Sequence, residues 1–236
     1  MKLNEHAAVS TTSALLVPYD HHHVLTYHAW MQDPAIQEAT ASEPLTLEEE
    51  YENQESWRLS HDKLTFIICQ PPLSSSVVSS GEADTPERMI GDVNLFLYPH
   101  EEEDEEPTAQ PKFCVGEVDI MIADPAQRGK GLGRAVVGAF LAYIEKHEQE
   151  IMEEYASDKD ISPAPGLKML MAKISEGNTK SIALFESLGF EKEGEVNYFG
   201  ELKLVLRDLK GFVEKRTPEG YKELVYSRES SSRLGA

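Results

Sequence analysis

The chain has 236 residues, of which 40% are hydrophobic and 27% charged, and its formal net charge is −20. This length and composition predict a globular protein with a proper core. No run of about 18 apolar residues is present and the start lacks the pattern of a signal peptide, so we expect no membrane partner. The negative charge argues against nucleic acid as a partner, because phosphate binding needs clustered Lys and Arg. An acidic surface attracts cationic amines, although solubility explains the same charge.

Two cysteines, Cys69 and Cys114, lie inside apolar runs that are typical of strands. We expect buried free thiols rather than a disulfide, which is typical of a reducing compartment, and we therefore predict a cytoplasmic protein. One domain is expected over residues 1–226, followed by a disordered tail over 227–236.

The first half of the chain predicts three strands and two helices. Thr46 opens the second helix, with Glu49 three residues on at the spacing of a capping box. Polar connections are expected at 38–44 and 71–88, and the like-charged block 101–106 should be solvated, with docking of a basic partner as an alternative. The predicted bounds are strands at 15–19, 64–69 and 89–98 and helices at 22–31 and 47–60.

The second half predicts four strands and two helices. Asn178 is a good N-cap for the second of these helices, and Gly189 is a C-cap glycine. The predicted bounds are strands at 113–123, 168–174, 190–198 and 201–209, helices from 132 and over 179–188, and an acidic connection at 148–168. The whole pattern predicts an α/β fold in which a mixed, seven-stranded sheet carries helices on both faces.

A glycine-rich loop joins the strand at 113–123 to the helix that follows it. The loop reads Arg128-Gly129-Lys130-Gly131-Leu132-Gly133, and Arg134 comes next. Helix N-termini leave N–H groups unpaired and favour negative charge, and glycines let an anion approach the backbone. Three basic side chains in an otherwise acidic protein strengthen the prediction of a phosphate site.

The spacing of these glycines excludes two common phosphate loops. A nucleoside triphosphate loop needs Gly-Lys followed by Ser or Thr, but Lys130 is followed by Gly131. A dinucleotide loop needs a third glycine, and Arg134 and Val136 occupy the two places where it would stand. The remaining pattern is Arg/Gln-x-x-Gly-x-Gly/Ala, which Arg128-x-x-Gly131-x-Gly133 matches.

With this loop the chain resembles the GNAT superfamily of N-acetyltransferases. The segment from Asn178 to Phe190, with its Asn-x-x-Ser and Leu-Gly-Phe motifs, is similar to the family's second motif. The stretches 40–48, 91–97 and 121–123 are most similar to the eukaryotic N-acetyltransferase-nine-like group of that family. The element order agrees from 15 to 209, so the resemblance covers nearly the whole chain.

The resemblance implies a sheet that is mostly antiparallel, with a splay between the fourth and fifth predicted strands, and acetyl-CoA as the acetyl donor. The pantetheine arm would lie in the splay beside the backbone of Met121 and Ala123. The cofactor-binding residues are then Met121, Ala123, Arg128, Gly129, Lys130, Gly131, Leu132, Gly133, Arg134, Asn178 and Ser181. For Asn178 a plain helix cap explains the residue equally well.

The expected reaction is direct attack of an amine on the thioester in a ternary complex, with a protein N-terminal α-amino group as acceptor. Glu117 and Asp119 share one face of the fourth predicted strand, and the resemblance favours Glu117 as the base, directly or through water. A solvated face or simple fixation of an ammonium explains Glu117 as well.

A general acid is less obvious, because Phe185 stands where the resemblance leads us to expect a Tyr. Tyr198 is the substitute candidate, and a thiolate also leaves without an acid. Residues 38–44 and 197–200 are expected to contact the acceptor. His21-His22-His23 is interpreted as an exposed helix start, and no Cys/His spacing indicates a metal. The alternative function is a catalytically weak or inactive acetyl-CoA-binding adaptor that acts through protein–protein contacts.

Overall fold

The computed structural model describes residues 1–71, 77–100 and 110–228. Their strands are β1 Ala7–Ser10, β2 Leu15–Pro18, β3 Lys63–Cys69, β4 Val77–Ser79, β5 Met89–His100, β6 Phe113–Ile122, β7 Gly166–Ser175, β8 Glu191–Glu193, β9 Glu201–Leu206 and β10 Lys222–Ser227. The helices are α1 Val24–Met31, α2 Pro34–Thr40, α3 Leu47–Leu59, α4 Leu132–Lys146, α5 Glu148–Asp158, α6 Thr179–Ser187 and α7 Leu209–Arg216.

All ten of these strands belong to one sheet, in the order β4-β10-β1-β2-β3-β5-β6-β7-β9-β8. Only β6–β7 and β10–β4 pair in parallel among the described strands. The predicted mixed, mostly antiparallel α/β fold is therefore confirmed. The predicted count of seven strands is wrong, because β1, β4 and β10 add to the seven predicted strands. All three are short, and β1 and β10 depend on each other as partners rather than on an apolar pattern of their own.

Five predicted segments differ from the structure, and in the first of them the predicted connection 71–88 contains β4. Helix α2 ends inside the predicted connection 38–44, and α5 occupies the first half of 148–168, where Ile151, Met152 and Tyr155 bury one face. The predicted strand 190–198 shortens to β8, because Gly194 has a φ of 77°. The predicted strand 201–209 ends at Leu206, and Asp208 then caps α7 by accepting a hydrogen bond from the N–H of Gly211 at 2.8 Å.

Helices cover both faces of the sheet, as predicted. One core contains the buried faces of α4, α6 and α7, including Phe140, Phe185 and Phe212. The other contains the buried side of α1 and α2, including Tyr27 and Ile36. Cys69 and Cys114 are buried free thiols, as predicted. The acidic block 101–106 and the tail from 229 lie outside the described residues, and none of the described helices is long and apolar enough to cross a membrane.

The sheet opens between β6 and β7. Their parallel register ends at Glu117 opposite Met171, although β6 continues to Ile122 and β7 to Ser175. On the other side of β6 the register with β5 stays intact as far as Gly91 opposite Ile122. The predicted splay is therefore present. It leaves the second half of β6 facing an open cleft beside the glycine-rich loop.

Candidate active site

The glycine-rich loop follows β6 directly and turns the chain into α4. Asp124 shapes its start, because its Oδ1 accepts a hydrogen bond from the N–H of Ala126 at 2.8 Å. Gly129 and Gly131 have φ values of 74° and 80°, which only glycine adopts without strain. Gly133 has a different role, since an added Cβ would lie 3.0 Å from the side chain of Leu184 on α6.

The start of α4 presents free backbone donors. Gly131 is its N-cap and has no side chain with which to cap the helix. The bond from the N–H of Ala135 to the oxygen of Gly131 is an i→i−4 bond at 3.2 Å. The N–H groups of Leu132, Gly133 and Arg134 precede it in the first turn, where no carbonyl within the helix is available to them. These donors and the positive end of the helix favour an anion here.

The basic side chains of the loop divide into two groups. Arg128 turns back, donating through Nε to the oxygen of Ile122 at 2.7 Å and through Nη2 to that of Ala123 at 3.1 Å. It therefore fastens the loop to the end of β6. Lys130 and Arg134 are exposed, and Arg134 donates to the hydroxyl of Ser187 at 3.1 Å. These two side chains supply positive charge next to the free N–H groups.

A cavity of about 530 Å³ lies beside the start of α4 and contains Arg134 and Ala135 in its wall. Arg216, at the end of α7, also lines it and donates to the oxygen of Ser187 at 2.7 Å. The sequence prediction did not include Arg216, because only the tertiary packing of α7 against α4 brings it to this cavity.

The second predicted cofactor segment begins at Asn178. Its Oδ1 accepts a hydrogen bond from the N–H of Ser181 at 3.2 Å, so the helix-cap interpretation describes this side chain in the structure. Met121 and Ala123 are buried at the splay. The N–H of Ala123 donates to the oxygen of Ile90 at 2.8 Å, which directs this amide toward β5 rather than into the cleft. By alternation, the backbone groups of β6 that face the cleft belong to Ile120 and Ile122.

Glu117 lies at the point where β6 and β7 separate. Its carboxylate accepts a hydrogen bond from Nζ of Lys173 at 2.7 Å, and its side chain is 12% exposed. Partial burial lowers the pKa of Lys173, but the hydrogen bond to Glu117 and the charge of Glu117 outweigh this effect. The pKa of Lys173 is therefore raised. The predicted base is thus held in an ion pair with a residue of β7 that the sequence prediction did not include.

Asp119 is the next residue of β6 on the same face, and burial raises its pKa to about 7, with Glu117 and Asp92 adding to the effect. Asp92 on β5 is also buried, and burial raises its pKa to about 6. Its Oδ2 accepts from Asn94 at 2.8 Å and from Tyr27 at 3.3 Å. We call Asp92, Glu117 and Asp119 the cleft carboxylates.

Phe185 and Tyr198, the two positions considered for a general acid, lie in opposite environments. Phe185 is 2% exposed and packs edge-on against Phe190 at 5.0 Å between ring centroids, so α6 offers no hydroxyl at this position. Tyr198 is 97% exposed in the β8–β9 turn, edge-on to Phe199. The structure thus places Tyr198 at the surface, and its role as acid stays a prediction.

The histidine triplet forms a short helical turn that leads into α1, with His21 and His22 exposed as predicted, but His23 is buried. His22 and His23 direct their Nε2 atoms to Oδ2 of Asp84 at 3.2 and 3.0 Å, and His23 and Asp84 are fully buried. The hydroxyl of Tyr226 donates to the same oxygen at 2.6 Å. Burial opposes the charge of Asp84, but these hydrogen bonds hold its pKa well below the usual range.

His22, His23 and Asp84 are close enough to share a metal ion. The hydrogen bonds argue against that use of His23. The N–H of Asp20 donates to its Nδ1 at 3.0 Å, so in the neutral ring the proton lies on Nε2 and points at Asp84. No lone pair remains on His23 for a metal. We call His22, His23, Asp84 and Tyr226 the Asp84 cluster, and its role is to join β10 to the start of α1.

A family model described as an acetyltransferase (GNAT) domain matches residues 14–191. An N-acetyltransferase 9-like protein of Schizosaccharomyces pombe is 38% identical over 224 residues, covering 87% of this chain and 98% of the relative. The alpha/beta-tubulin-N-acetyltransferase 9 of Homo sapiens is 37% identical over 207 residues, covering 87% of this chain and 86% of the relative.

Solved structures share the fold at lower identity. An aminoglycoside acetyltransferase in complex with coenzyme A superposes with a TM-score of 0.55 at 18% identity, covering 88% of this chain and 98% of that one. The spermidine N-acetyltransferase of Vibrio cholerae, in complex with coenzyme A and spermine, has a TM-score of 0.55 at 16% identity, covering 82% and 95%.

Proposed function

This chain belongs to the GNAT acetyltransferase family, and we propose that its acceptor is the α-amino group at the N-terminus of a protein. Membership confirms the resemblance that the glycine-rich loop and the segment from Asn178 predict. It also establishes the coarser activity, transfer of an acetyl group from acetyl-CoA to an amine. The identity of the acceptor rests on a separate observation at the mouth of the cleft.

That observation is a group of exposed apolar side chains in the β8–β9 turn. Val196, Tyr198 and Phe199 are 40%, 97% and 80% exposed. Strand β9 begins opposite the last residue of β7, so this turn lies beyond the end of β7, at the open side of the splay. Grouped exposed apolar side chains indicate contact with a macromolecule. A small amine would instead need an enclosing pocket.

The names of several sequence relatives support a protein acceptor. Relatives in human, fly and mouse that are 35–38% identical are named alpha/beta-tubulin-N-acetyltransferase 9. Those names describe a protein substrate for those enzymes. For this chain they favour a polypeptide N-terminus over a polyamine or an aminoglycoside, whose acetyltransferases share only the fold.

The proposed mechanism is direct attack in a ternary complex. The pyrophosphate of acetyl-CoA accepts hydrogen bonds from the first N–H groups of α4, with Lys130 and Arg134 beside it. The pantetheine arm would lie in the splay beside the backbone of Ile120 and Ile122, rather than that of Met121 and Ala123 as predicted, with Asn178 and Ser181 on its other side. An α-amino group has a pKa near 8, so a modest base suffices. The roles predicted from the sequence, Glu117 as a base, directly or through water, and Tyr198 as an acid, are not required by this proposal and stay predictions.

Two peptides of one sequence test the acceptor. One carries a free α-amine and dimethylated lysines, and the other carries a blocked N-terminus and free lysines. Incubation with acetyl-CoA and mass spectrometry should show one acetyl group on the first peptide and none on the second. Acetylation of the second peptide alone, or of a polyamine alone, would contradict the proposal.

The exposed aromatic pair tests the same point from the side of the enzyme. Replacing both side chains, Tyr198→Ala with Phe199→Ala, should raise the KM for the peptide about tenfold and leave acetyl-CoA binding unchanged. Val225→Ala is the matched control, because Val225 is 56% exposed on β10, toward the opposite edge of the sheet. Tyr198→Phe separates contact from acid catalysis, since only a catalytic hydroxyl makes that variant lose kcat.

The cofactor loop has its own test. Gly131→Glu places a strained residue and a negative charge at the start of α4, so binding of acetyl-CoA measured by calorimetry should be lost. Gly194→Glu is the matched control, because Gly194 also has a φ near 77° and open space around it. Equal loss of binding in both variants would contradict the assigned pyrophosphate site.

A further inference from the structure

The cleft carboxylates lie where the acceptor amine of the proposed reaction must arrive. Glu117 is the last β6 residue in register with β7, and Asp119 is the first residue beyond it on the same face. Asp92 and Asn94 lie on the neighbouring strand, with Asn94 directly opposite Asp119. An amine that attacks a thioester held in the splay therefore passes along this face.

The negative charges of this group are not equally compensated. Glu117 has Lys173 at 2.7 Å. Among residues 1–71, 77–100 and 110–228, neither Asp92 nor Asp119 has a Lys, Arg or His nitrogen within ion-pair distance. Asp92 has two neutral donors, Asn94 and Tyr27. An unpaired buried carboxylate is costly, so its presence at a cleft indicates that a cation arrives there.

A buried amide points to the same ligand. Asn94 is 5% exposed and gives its Nδ2 to Asp92, while its Oδ1 is buried with no hydrogen-bond partner. Thr65, directly opposite Asn94 on β3, also has a buried hydroxyl without a partner. Buried polar atoms are normally satisfied, so the open acceptor of Asn94, directly opposite Asp119, fits a donor-rich group. An ammonium, with its N–H donors, has that chemistry.

We propose that Asp119, and not Glu117 as the sequence predicts, is the catalytic residue that takes the proton from the acceptor ammonium, and that Asp92 and Asn94 are positioning residues for it. The assignment rests on the proposed reaction at this cleft, although it holds for any primary amine accepted there. Lys173 stays paired with Glu117 at 2.7 Å, which leaves Asp119 without a cation of its own in the part of the chain that the structure describes.

The step balances without a further reactant. One ammonium proton moves to the Asp119 carboxylate, and the nitrogen lone pair forms the N–C bond to the thioester carbonyl. The C–S bond then breaks, with its electron pair leaving on sulfur. A second proton leaves the nitrogen and ends on the coenzyme A thiolate, and Asp119 returns its own proton to solvent.

The surroundings of Asp119 suit this role. Burial raises its pKa to about 7, with Glu117, Asp92 and Glu201 adding to the effect and Lys173 opposing it. A base is most effective when its pKa lies near the working pH. The same surroundings predict how each neighbour shifts the pH dependence of turnover.

The test is the pH profile of kcat at saturating acetyl-CoA and acceptor, using any primary amine that the enzyme acetylates. The wild-type profile should rise with an apparent pKa near 7. Asp119→Asn should lower kcat about 100-fold or more and remove this rise, with acetyl-CoA binding retained. Glu117→Gln and Asp92→Asn should keep the rise but move it to lower pH, because each removes a like charge next to Asp119.

Glu201→Gln is the matched control, since it removes one charge from a more distant neighbour and should shift the rise least. The inference is overturned if the Asp119→Asn variant keeps both the rise of kcat with pH and the wild-type kcat. It is also overturned if Glu117→Gln, and not Asp119→Asn, abolishes turnover. Failure of the proposed function appears differently, as acetylation of lysines or small amines instead of α-amines. In that case the profile measured with the accepted amine still decides the role of Asp119.

Discussion

The Asp84 cluster and the cleft carboxylates are two buried acidic groups on one sheet, and they differ in how their charge is satisfied. Asp84 accepts hydrogen bonds from His22, His23 and Tyr226, and the N–H of Gly81 donates to its other oxygen at 2.6 Å. For Asp119 burial disfavours the charged form, and the like charges of Glu117, Asp92 and Glu201 add to that effect. The first carboxylate therefore has a lowered pKa and the second a raised one.

This difference separates stability from function. A fully hydrogen-bonded buried charge holds parts of the chain together, and its loss leaves several donors unpaired. A buried charge that lacks donors weakens the fold and persists where a ligand completes it. The same residue type therefore has opposite effects at the two places, and substitutions at each should affect different measurements.

The largest effect on stability should come from Asp84→Asn. The amide removes the charge and turns an NH₂ toward at least one donor, so the free energy of unfolding should fall by about 3 kcal/mol or more. Urea unfolding at pH 7 measures it. The kcat of the folded variant should stay within twofold of wild type. A loss of kcat with unchanged stability would contradict the assignment of Asp84 to stability rather than function.

Tyr226→Phe should have the next largest effect. It removes one donor from the buried Asp84 carboxylate and leaves the ring in place, which costs about 1.5–3 kcal/mol for a hydrogen bond to a charged group. Tyr221→Phe is a suitable control, because its hydroxyl also donates to a carboxylate, that of Glu223 at 2.7 Å, but in a less buried place. The control should lose less stability.

An effect of opposite sign is expected for Asp119→Asn. With a raised pKa, folded Asp119 holds its proton up to about pH 7 while the unfolded side chain loses it near pH 4, so its contribution to stability falls as pH rises across that window. Asp119→Asn removes this dependence. The variant should gain stability relative to wild type at pH 7.5 and gain less at pH 5, as measured by urea unfolding.

The smallest effect is expected for His22→Ala. The His22 side chain is 34% exposed, so water replaces part of its bond to Asp84. A loss of about 0.5–1.5 kcal/mol is expected. His23→Ala, which leaves a buried gap and an unpaired oxygen, should cost clearly more. Equal losses in the two variants would show that burial does not set the strength of these bonds.

The two groups also show what the sequence can predict. The glycine-rich loop and the capped helix from Asn178 are local patterns, so their positions and the family follow from neighbouring residues. The partners of the two acidic groups come from distant parts of the chain. Asp84 meets Tyr226 across 142 positions, and Glu117 meets Lys173 across 56. Such contacts depend on strand order and register, which no local pattern contains.

The strands that the prediction missed follow the same rule. β10 begins with Lys222 and Glu223, and β1 is only four residues long, so neither segment has a pattern that predicts a strand. The two segments pair with each other in the folded sheet. The splay was predictable through the resemblance, whereas the placement of Asn94 opposite Asp119 needed the register of β5 and β6. Local patterns therefore predict the glycine-rich loop and the helix cap at Asn178, whereas the neighbours of Asp119 follow only from the pairing of distant strands.

The most direct measurement is a carbon-13 NMR titration of the aspartate carboxyl groups in the complex with coenzyme A. Asp119→Asn and Asp84→Asn assign the two signals by their absence. We expect the Asp119 carboxyl to titrate near pH 7 and Asp84 to stay ionised through the acid range in which the protein remains folded. An Asp119 signal that titrates near pH 4, like an ordinary aspartate, would contradict the account.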